Sequence, residues 1–154
     1  MAAAALVMTA GAAAAADRGT GTALAAQKHK SRTVTFTETD TGAQISQNGS
    51  MSVSVTAFTN SLDGDGAAET TATLNGDSGT DTTIAYMANG VGRYKDTFTL
   101  GAPDASGMIP MTGSGKCAGG TGVHKHEKCS FTFTGTDDPQ TTVYHLDITG
   151  TSTR

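Results

Sequence analysis

The chain has 154 residues and a net charge of −4, and it contains 20 glycines, many threonines and no tryptophan. The negative charge argues against nucleic-acid binding, because no cationic surface is available to neutralise phosphates. Threonine is β-branched and favours strands, so the composition predicts an all-β protein.

The first 26 residues differ from the rest of the chain. Residues 2–16 are almost all alanine around a short apolar centre, and this run is shorter than the about 20 residues of a transmembrane helix. Small residues precede Asp17 and Gln27, as at signal-peptidase sites, although no basic segment comes first. Residues 1–26 are therefore interpreted as a signal peptide or a disordered leader. Residues 27–154 are predicted to form one secreted domain with no membrane segment after processing.

Alternating strand patterns, separated by clusters of Gly, Asn, Asp and Pro, continue from residue 33 to residue 149. The eight predicted strands cover residues 33–39, 51–57, 69–74, 82–87, 93–100, 108–117, 130–135 and 141–149. This spacing is typical of a sandwich or a closed barrel. We predict an antiparallel eight-stranded barrel, whose interior can be filled or can hold one small ligand.

Acidic and phenolic side chains on otherwise apolar strand faces are the candidate pocket residues. In the fifth predicted strand, Asp96 shares a face with Tyr94, and a buried carboxyl is suited to acid–base chemistry or to orienting a ligand. Glu38 is placed similarly in the first strand, and Tyr86 shares a face with Ile84 and is predicted to lie beside Asp96. The candidate catalytic residues are therefore Asp96, Glu38, Tyr94 and Tyr86. The alternative is that Asp96 pairs with an arginine or lies at a strand end near solvent.

The segment between the two cysteines contains the most distinctive motif. Gly119-Gly120-Thr121-Gly122 follows Cys117 and precedes a basic run, and an alternating strand follows Cys129. This arrangement resembles the C-terminal signature of dirigent proteins and of allene oxide cyclase-like barrels, in which a Gly-Gly-Thr-Gly loop precedes a short basic and aromatic segment. The resemblance covers residues 113–135, and the chain departs from the family pattern at three positions after the loop.

The resemblance implies an eight-stranded barrel, often a homotrimer, with a pocket for a small apolar or phenolic molecule. No cofactor is predicted, because the chain contains no phosphate loop or dinucleotide-binding motif. The predicted function is a secreted barrel that binds such a molecule and steers a cyclisation or isomerisation by confining it. The alternative is a non-enzymatic secreted structural or interaction module with a packed interior, and a lined cavity containing Asp96 would distinguish the first from the second.

Two arrangements of the cysteines are open. Two cysteines in an exported chain favour a disulfide. A tight hairpin centred on Gly120-Thr121 would place Cys117 opposite His124, and Cys129 would then lie about 17 Å further along, too far for a bond. If residues 118–128 form the whole loop, as the resemblance suggests, Cys117 and Cys129 are its opposing stems and are bonded.

A metal site is the rival interpretation of the same segment. Cys117, His124, His126 and Cys129 offer two thiolates and two imidazoles, which suit zinc or copper. The spacing lacks the Cys-x-x-Cys knuckle of structural zinc sites, and both histidines are expected to be exposed loop side chains. The disulfide is therefore favoured over the metal.

Overall fold

Eight strands and their short turns account for nearly all of residues 31–154, the part of the chain that this computed structural model describes. The strands are β1 (Thr33–Asn48), β2 (Met51–Asn60), β3 (Gly64–Asn75), β4 (Ser78–Met87), β5 (Gly90–Leu100), β6 (Ile109–Gly120), β7 (Lys128–Asp138) and β8 (Val143–Thr153). Each strand pairs antiparallel with the next in sequence, and β8 pairs with β1 to close the barrel. The predicted eight-stranded antiparallel barrel is confirmed. The predicted leader lies outside the described residues.

Several strands are longer than the sequence pattern predicts. β1 continues to Asn48, and β3 begins at Gly64 rather than at residue 69. The inner positions of these extensions include Gly42, Gln44 and Gly66, which do not carry large apolar side chains. The alternation of apolar and polar residues on which the prediction depended is therefore absent there.

Six aromatic side chains of the inner face lie directly opposite a glycine of a neighbouring strand. The register pairs Phe36 with Gly150, Phe58 with Gly66, Phe98 with Gly79, Phe131 with Gly115, Phe133 with Gly113 and Tyr144 with Gly42. A Cβ atom at any of these glycines would lie only 2.1 to 2.7 Å from a ring atom of its partner. The rings thus pack against bare backbone of the barrel wall, as aromatic residues do beside glycines in sheets, and the centre of the barrel is left less crowded.

Apolar packing inside the barrel is divided into two clusters. The buried residues Phe58, Ala68 and Ala85 form one cluster, and Phe98, Phe133 and Ile148 form the other. The remaining inner positions include hydroxyl and carboxyl side chains, so the interior is not one continuous apolar core.

The predicted disulfide between Cys117 and Cys129 is present. The two cysteines lie one position beyond the last register pair of β6 and β7, Lys116 with Ser130, so they are the stems of the loop formed by residues 118–128. Within this loop, Thr121 is fastened to β5 because its backbone N–H donates to the Val91 carbonyl at 2.8 Å and its hydroxyl accepts from the Val91 N–H at 3.1 Å. No helix in residues 31–154 is long and apolar enough to span a membrane.

Candidate functional site

The barrel contains a cavity of about 180 Å³ that is partly open to solvent. Its apolar wall is formed mainly by the aromatic rings that pack over glycines and by aliphatic side chains of β3, β5, β6 and β8. The principal apolar residues are Phe36, Leu74, Phe98, Leu100, Met111, Phe131, Phe133, Leu146 and Ile148. The rest of the wall is polar, which makes the cavity amphipathic.

Four of the carboxyl side chains that line this cavity form two pairs. Glu38 and Asp40 are two residues apart on β1, and Asp81 of β4 is the register partner of Asp96 of β5. In the closed order of eight strands, β5 is the strand farthest from β1, so the β1 pair (Glu38 and Asp40) and the β4–β5 pair (Asp81 and Asp96) lie on opposite walls. Asp40, Asp81 and Asp96 each have one buried oxygen without a hydrogen-bond partner among the described residues. Buried polar atoms are nearly always hydrogen-bonded, so three such oxygens in one cavity are unusual.

Both pairs retain protons at neutral pH. Burial, together with the hydrogen bond and charge of the Asp81 carboxyl, raises the pKa of Asp96 to about 9. Burial and the charge of Glu38 raise the pKa of Asp40 to about 8. Burial also raises the pKa values of Glu38 and Asp81, against opposing hydrogen bonds. In each pair, one carboxyl can therefore donate a proton while the other can accept a hydrogen bond.

Because the pKa values of Asp40 and Asp96 are raised in the barrel, we expect the melting temperature to fall as the pH rises from about 5 to about 9. An aspartate in the unfolded chain has a pKa of about 4. In the barrel, Asp40 and Asp96 hold their protons to about pH 8 and about pH 9. The folded protein binds more protons between these limits. The stability that the two groups contribute is thus fully present below about pH 4 and is lost as the pH rises through the folded pKa values.

The measurement is thermal unfolding at pH 5 and pH 9 of the native protein and of Asp96→Asn, with the exposed Asp147→Asn as control. Asp96→Asn is expected to retain roughly 1–3 kcal/mol of the unfolding free energy that the native protein loses by about pH 9. The reason is that the substitution removes a buried charge that would otherwise form at that pH. An equal decline in the native protein and in Asp96→Asn would show that Asp96 does not cause the pH dependence.

The two tyrosines of the cavity are neutral phenols. The Tyr144 hydroxyl lies 2.6 Å from Thr56 Oγ1 and 3.1 Å from Ser54 Oγ, and burial raises its pKa. Burial also raises the pKa of Tyr94, whose ring packs edge-to-face on Phe131 with the ring centroids 6.0 Å apart. Tyr144 is thus a fixed polar group of the wall, and Tyr94 belongs to the lining beside Phe131.

A network of polar side chains around the buried His124, Glu127 and Ser152 closes the end of the barrel at which β8 ends. This base network consists of Asp63, Asn89, His124, Glu127, Ser152 and Arg154. Glu127 is its centre and accepts hydrogen bonds from Ser152, from His124 Nδ1 at 2.6 Å and from Arg154 Nε at 2.9 Å. The two terminal nitrogens of the Arg154 guanidinium donate to the Asp63 carboxylate at 2.8 and 2.5 Å.

The base network is ionised and internally satisfied. Burial acts to raise the pKa of Glu127, but the hydrogen bonds from Ser152, His124 and Arg154 outweigh it and lower that pKa. The pKa of Asp63 is lowered in the same way, where hydrogen bonds from Arg154 and Asn89 overcome the effect of burial. This contrasts with the two carboxyl pairs, so the base network is assigned a structural role and the carboxyl pairs are the candidate functional groups.

The alternative metal site is not formed. Cys117 and Cys129 are bonded to each other, so neither offers a thiolate. The expectation that His124 is exposed is wrong, because its side chain is fully buried and contacts Glu127, whereas His126 is exposed. In the described part of the chain, no group of three or more His, Cys, Asp or Glu side chains is arranged to hold a metal ion.

Comparison with known proteins does not place the barrel in a family. No family model, no curated protein and no solved structure matches the chain.

Three of the four predicted catalytic residues line the cavity. Asp96, Glu38 and Tyr94 all face inward, and Asp96 and Glu38 each belong to a carboxyl pair. The predicted placement of Tyr86 beside Asp96 is wrong, because Tyr86 lies on the outer face with 53% of its surface exposed. The prediction took the face of β4 that carries Ile84 and Tyr86 as the inner one, but the inner face carries Asp81, Thr83 and Ala85.

Sequence reasoning does not identify the partner carboxyls or the base network. Asp40 follows Glu38 by two residues in an alternating strand, and this spacing alone was sufficient to place both on one face. Asp81 lies just before the predicted fourth strand, and only the register of β4 against β5 brings it to Asp96. The base network joins residues from four separate segments, so no local pattern could have indicated it.

Proposed function

We propose that this barrel binds one small apolar or phenolic molecule in its central cavity. The observation that carries the proposal is a cavity of about 180 Å³ with an apolar wall and two carboxyl pairs. The carboxyl pairs retain buried oxygens that have no hydrogen-bond partner within the barrel. An apolar cavity of about 150 Å³ is large enough to hold benzene. The cavity of the barrel therefore suits a single ring with a short substituent.

The apolar and the polar parts of the cavity wall have different roles in ligand recognition. The aromatic and aliphatic side chains supply most of the contact area, as in typical small-molecule sites, and a few polar groups fix the orientation. A phenol or alcohol hydroxyl can donate to the ionised carboxyl of a pair or accept from the protonated one. A ligand of this kind would supply the hydrogen bonds that Asp96 and Asp40 lack within the barrel.

We further propose that the protein acts outside the cytoplasm. The Cys117–Cys129 disulfide supports this, because such bonds persist in oxidising compartments. The alanine-rich leader supports it at the level of sequence only.

A second candidate function is catalysis of an isomerisation or cyclisation of the bound molecule. The β4–β5 pair favours it, because a protonated carboxyl beside an ionised one can give a proton to one ligand atom while its neighbour removes a proton from another. Such an exchange shifts a double bond with no net gain or loss of protons. The apolar side chains of the wall would hold the reacting atoms in one conformation.

Calorimetric titration with 4-ethylphenol tests the binding proposal. One molecule is expected to bind per barrel, in the micromolar to millimolar range typical of so small a ligand. Ala72→Leu, which narrows the cavity from β3, is expected to weaken binding about fivefold or more. Ala67→Leu on the exposed face of the same strand is the control and should have no effect. Equal affinities in both variants would place binding outside the cavity and contradict the proposal.

A further inference from the structure

The ionisable side chains that line the cavity are almost all acidic. Apart from the base network, the ionisable acidic residues that line it are Glu38, Asp40, Asp81, Asp96 and Asp137. Among the described residues of the lining, the cationic side chain is Arg154, and it is bound to Asp63 and Glu127. No lysine or free arginine of that lining offsets the carboxyl pairs, which is why burial acts on them without a compensating positive charge.

The two carboxyl pairs differ in how far they are already satisfied. Glu38 of the β1 pair accepts a hydrogen bond from Asn60 Nδ2 at 2.5 Å, and its partner Asp40 has one unpartnered oxygen. In the β4–β5 pair, both Asp81 and Asp96 have a buried oxygen without a partner. The β4–β5 pair therefore has the larger unmet capacity for hydrogen bonds and positive charge, and the β1 pair has a smaller one on the opposite wall.

We propose that the molecule bound in this cavity is an aromatic amine, with its ammonium group at the β4–β5 pair and a hydroxyl group at Asp40 on the opposite wall. This inference rests on the proposed function and names the class of ligand. An ammonium has three donors and a full positive charge, which match two carboxyls better than a neutral group does. The apolar body between the two ends contacts Phe98, Phe133 and Ile148, which line the space between the walls.

The same geometry discriminates against anions. A carboxylate in the cavity would face carboxyl pairs on two sides with no free cation, and like charges in a poorly hydrated site repel strongly. A neutral phenol can occupy the apolar space, but it leaves the β4–β5 pair without a counter-charge. The expected order of affinity is therefore amine, then neutral phenol, then acid.

The test uses three molecules with the same ring and different charges. Tyramine, 4-ethylphenol and 3-(4-hydroxyphenyl)propanoate are titrated calorimetrically into the intact disulfide-bonded protein. Tyramine is expected to bind at least about tenfold more tightly than 4-ethylphenol, since hydrogen bonds to charged groups are worth more than neutral ones. The propanoate is expected not to bind measurably.

Variants locate the ammonium group. Asp96→Asn is expected to reduce the preference for tyramine over 4-ethylphenol to less than about threefold, and Asp40→Asn should reduce it less. Asp147→Asn on the exposed outer face should leave the preference unchanged. Circular dichroism and native-like melting establish that each variant is folded, and Asp81→Asn replaces Asp96→Asn if the latter is not.

The outcomes separate this inference from the proposed function. If 4-ethylphenol binds and tyramine binds no more tightly, the cavity takes neutral molecules and the inference is overturned while the proposed function stands. If tyramine is preferred but the preference survives Asp96→Asn and Asp81→Asn, the ammonium lies elsewhere and the inference is again overturned. If neither molecule binds, both proposals fail.

Discussion

Glu127→Ala is expected to lower the free energy of unfolding by about 3–5 kcal/mol, the range measured when one partner of a buried ion pair is removed. Glu127 accepts hydrogen bonds from Ser152, His124 and Arg154, and the first two of these side chains are almost completely buried. Without the carboxylate, His124 and Ser152 stay buried but lose the hydrogen-bond acceptor that Glu127 provides. Arg154 keeps only its ion pair with Asp63. The loss is therefore larger than that of a single hydrogen bond.

Urea unfolding monitored by circular dichroism measures this effect. Glu127→Gln keeps the size of the side chain and some hydrogen bonds, so its loss should lie between those of the native protein and Glu127→Ala. Glu69→Ala is the matched control, because Glu69 lies on the exposed face of β3, and it should change stability by no more than about 0.5 kcal/mol. A loss of about 1 kcal/mol or less in Glu127→Ala would mean that the base network contributes no more than an exposed ion pair.

Gly113→Ala is expected to destabilise the barrel by about 3 kcal/mol, at the upper end of the range for overpacked interiors. A Cβ atom at residue 113 would lie 2.2 Å from Phe133 Cζ and 2.4 Å from the Thr97 carbonyl oxygen. The ring can move only into the cavity, and the carbonyl belongs to the β5–β6 pairing and cannot move without disturbing it. Gly113→Ala should therefore also weaken binding of 4-ethylphenol.

Gly101→Ala is the control for this substitution. A Cβ atom there would have Pro110 as its nearest neighbour at 3.4 Å, which is ordinary van der Waals contact, and residue 101 is exposed. Thermal and urea unfolding of both variants should show a loss in Gly113→Ala alone. Equal stabilities would show that the wall adjusts to a methyl group, and the pairing of aromatic rings with glycines would then not determine the shape of the interior.

The fold was largely predictable from local pattern, and the site only in part. Turn residues at regular spacing and threonine-rich alternation determined the number of strands, because both signals are local. The same alternation placed Asp96 and Tyr94 on one face of β5, and the structure agrees. Tyr86 was misplaced because the prediction assumed that the more apolar face is always the inner one.

What the sequence could not supply is the register between strands. Asp81 becomes a partner of Asp96 only through the pairing of β4 with β5, and a shift of one residue would turn Asp81 to the outside. The buried position of His124 depends on the loop being docked against the β4–β5 turn, where its ring reaches Asn89. The abundance of glycine was visible in the composition. That six of these glycines lie opposite aromatic residues follows only from knowing which strands are neighbours.

The closure of β1 on β8 has a consequence for how the chain folds. Seven of the eight strand pairs join strands that are consecutive in sequence, whereas the β1–β8 pair joins residues 33–43 to residues 143–153. The seven hairpin pairings can form locally and fast, but the last one must bring together segments separated by about 100 residues, and its loop-closure entropy is paid in one step. Before that step, the curved sheet has two unpaired edges, each able to pair with another chain. We expect this closure to form last, so its rate would set the time during which the newly made protein is exposed to aggregation.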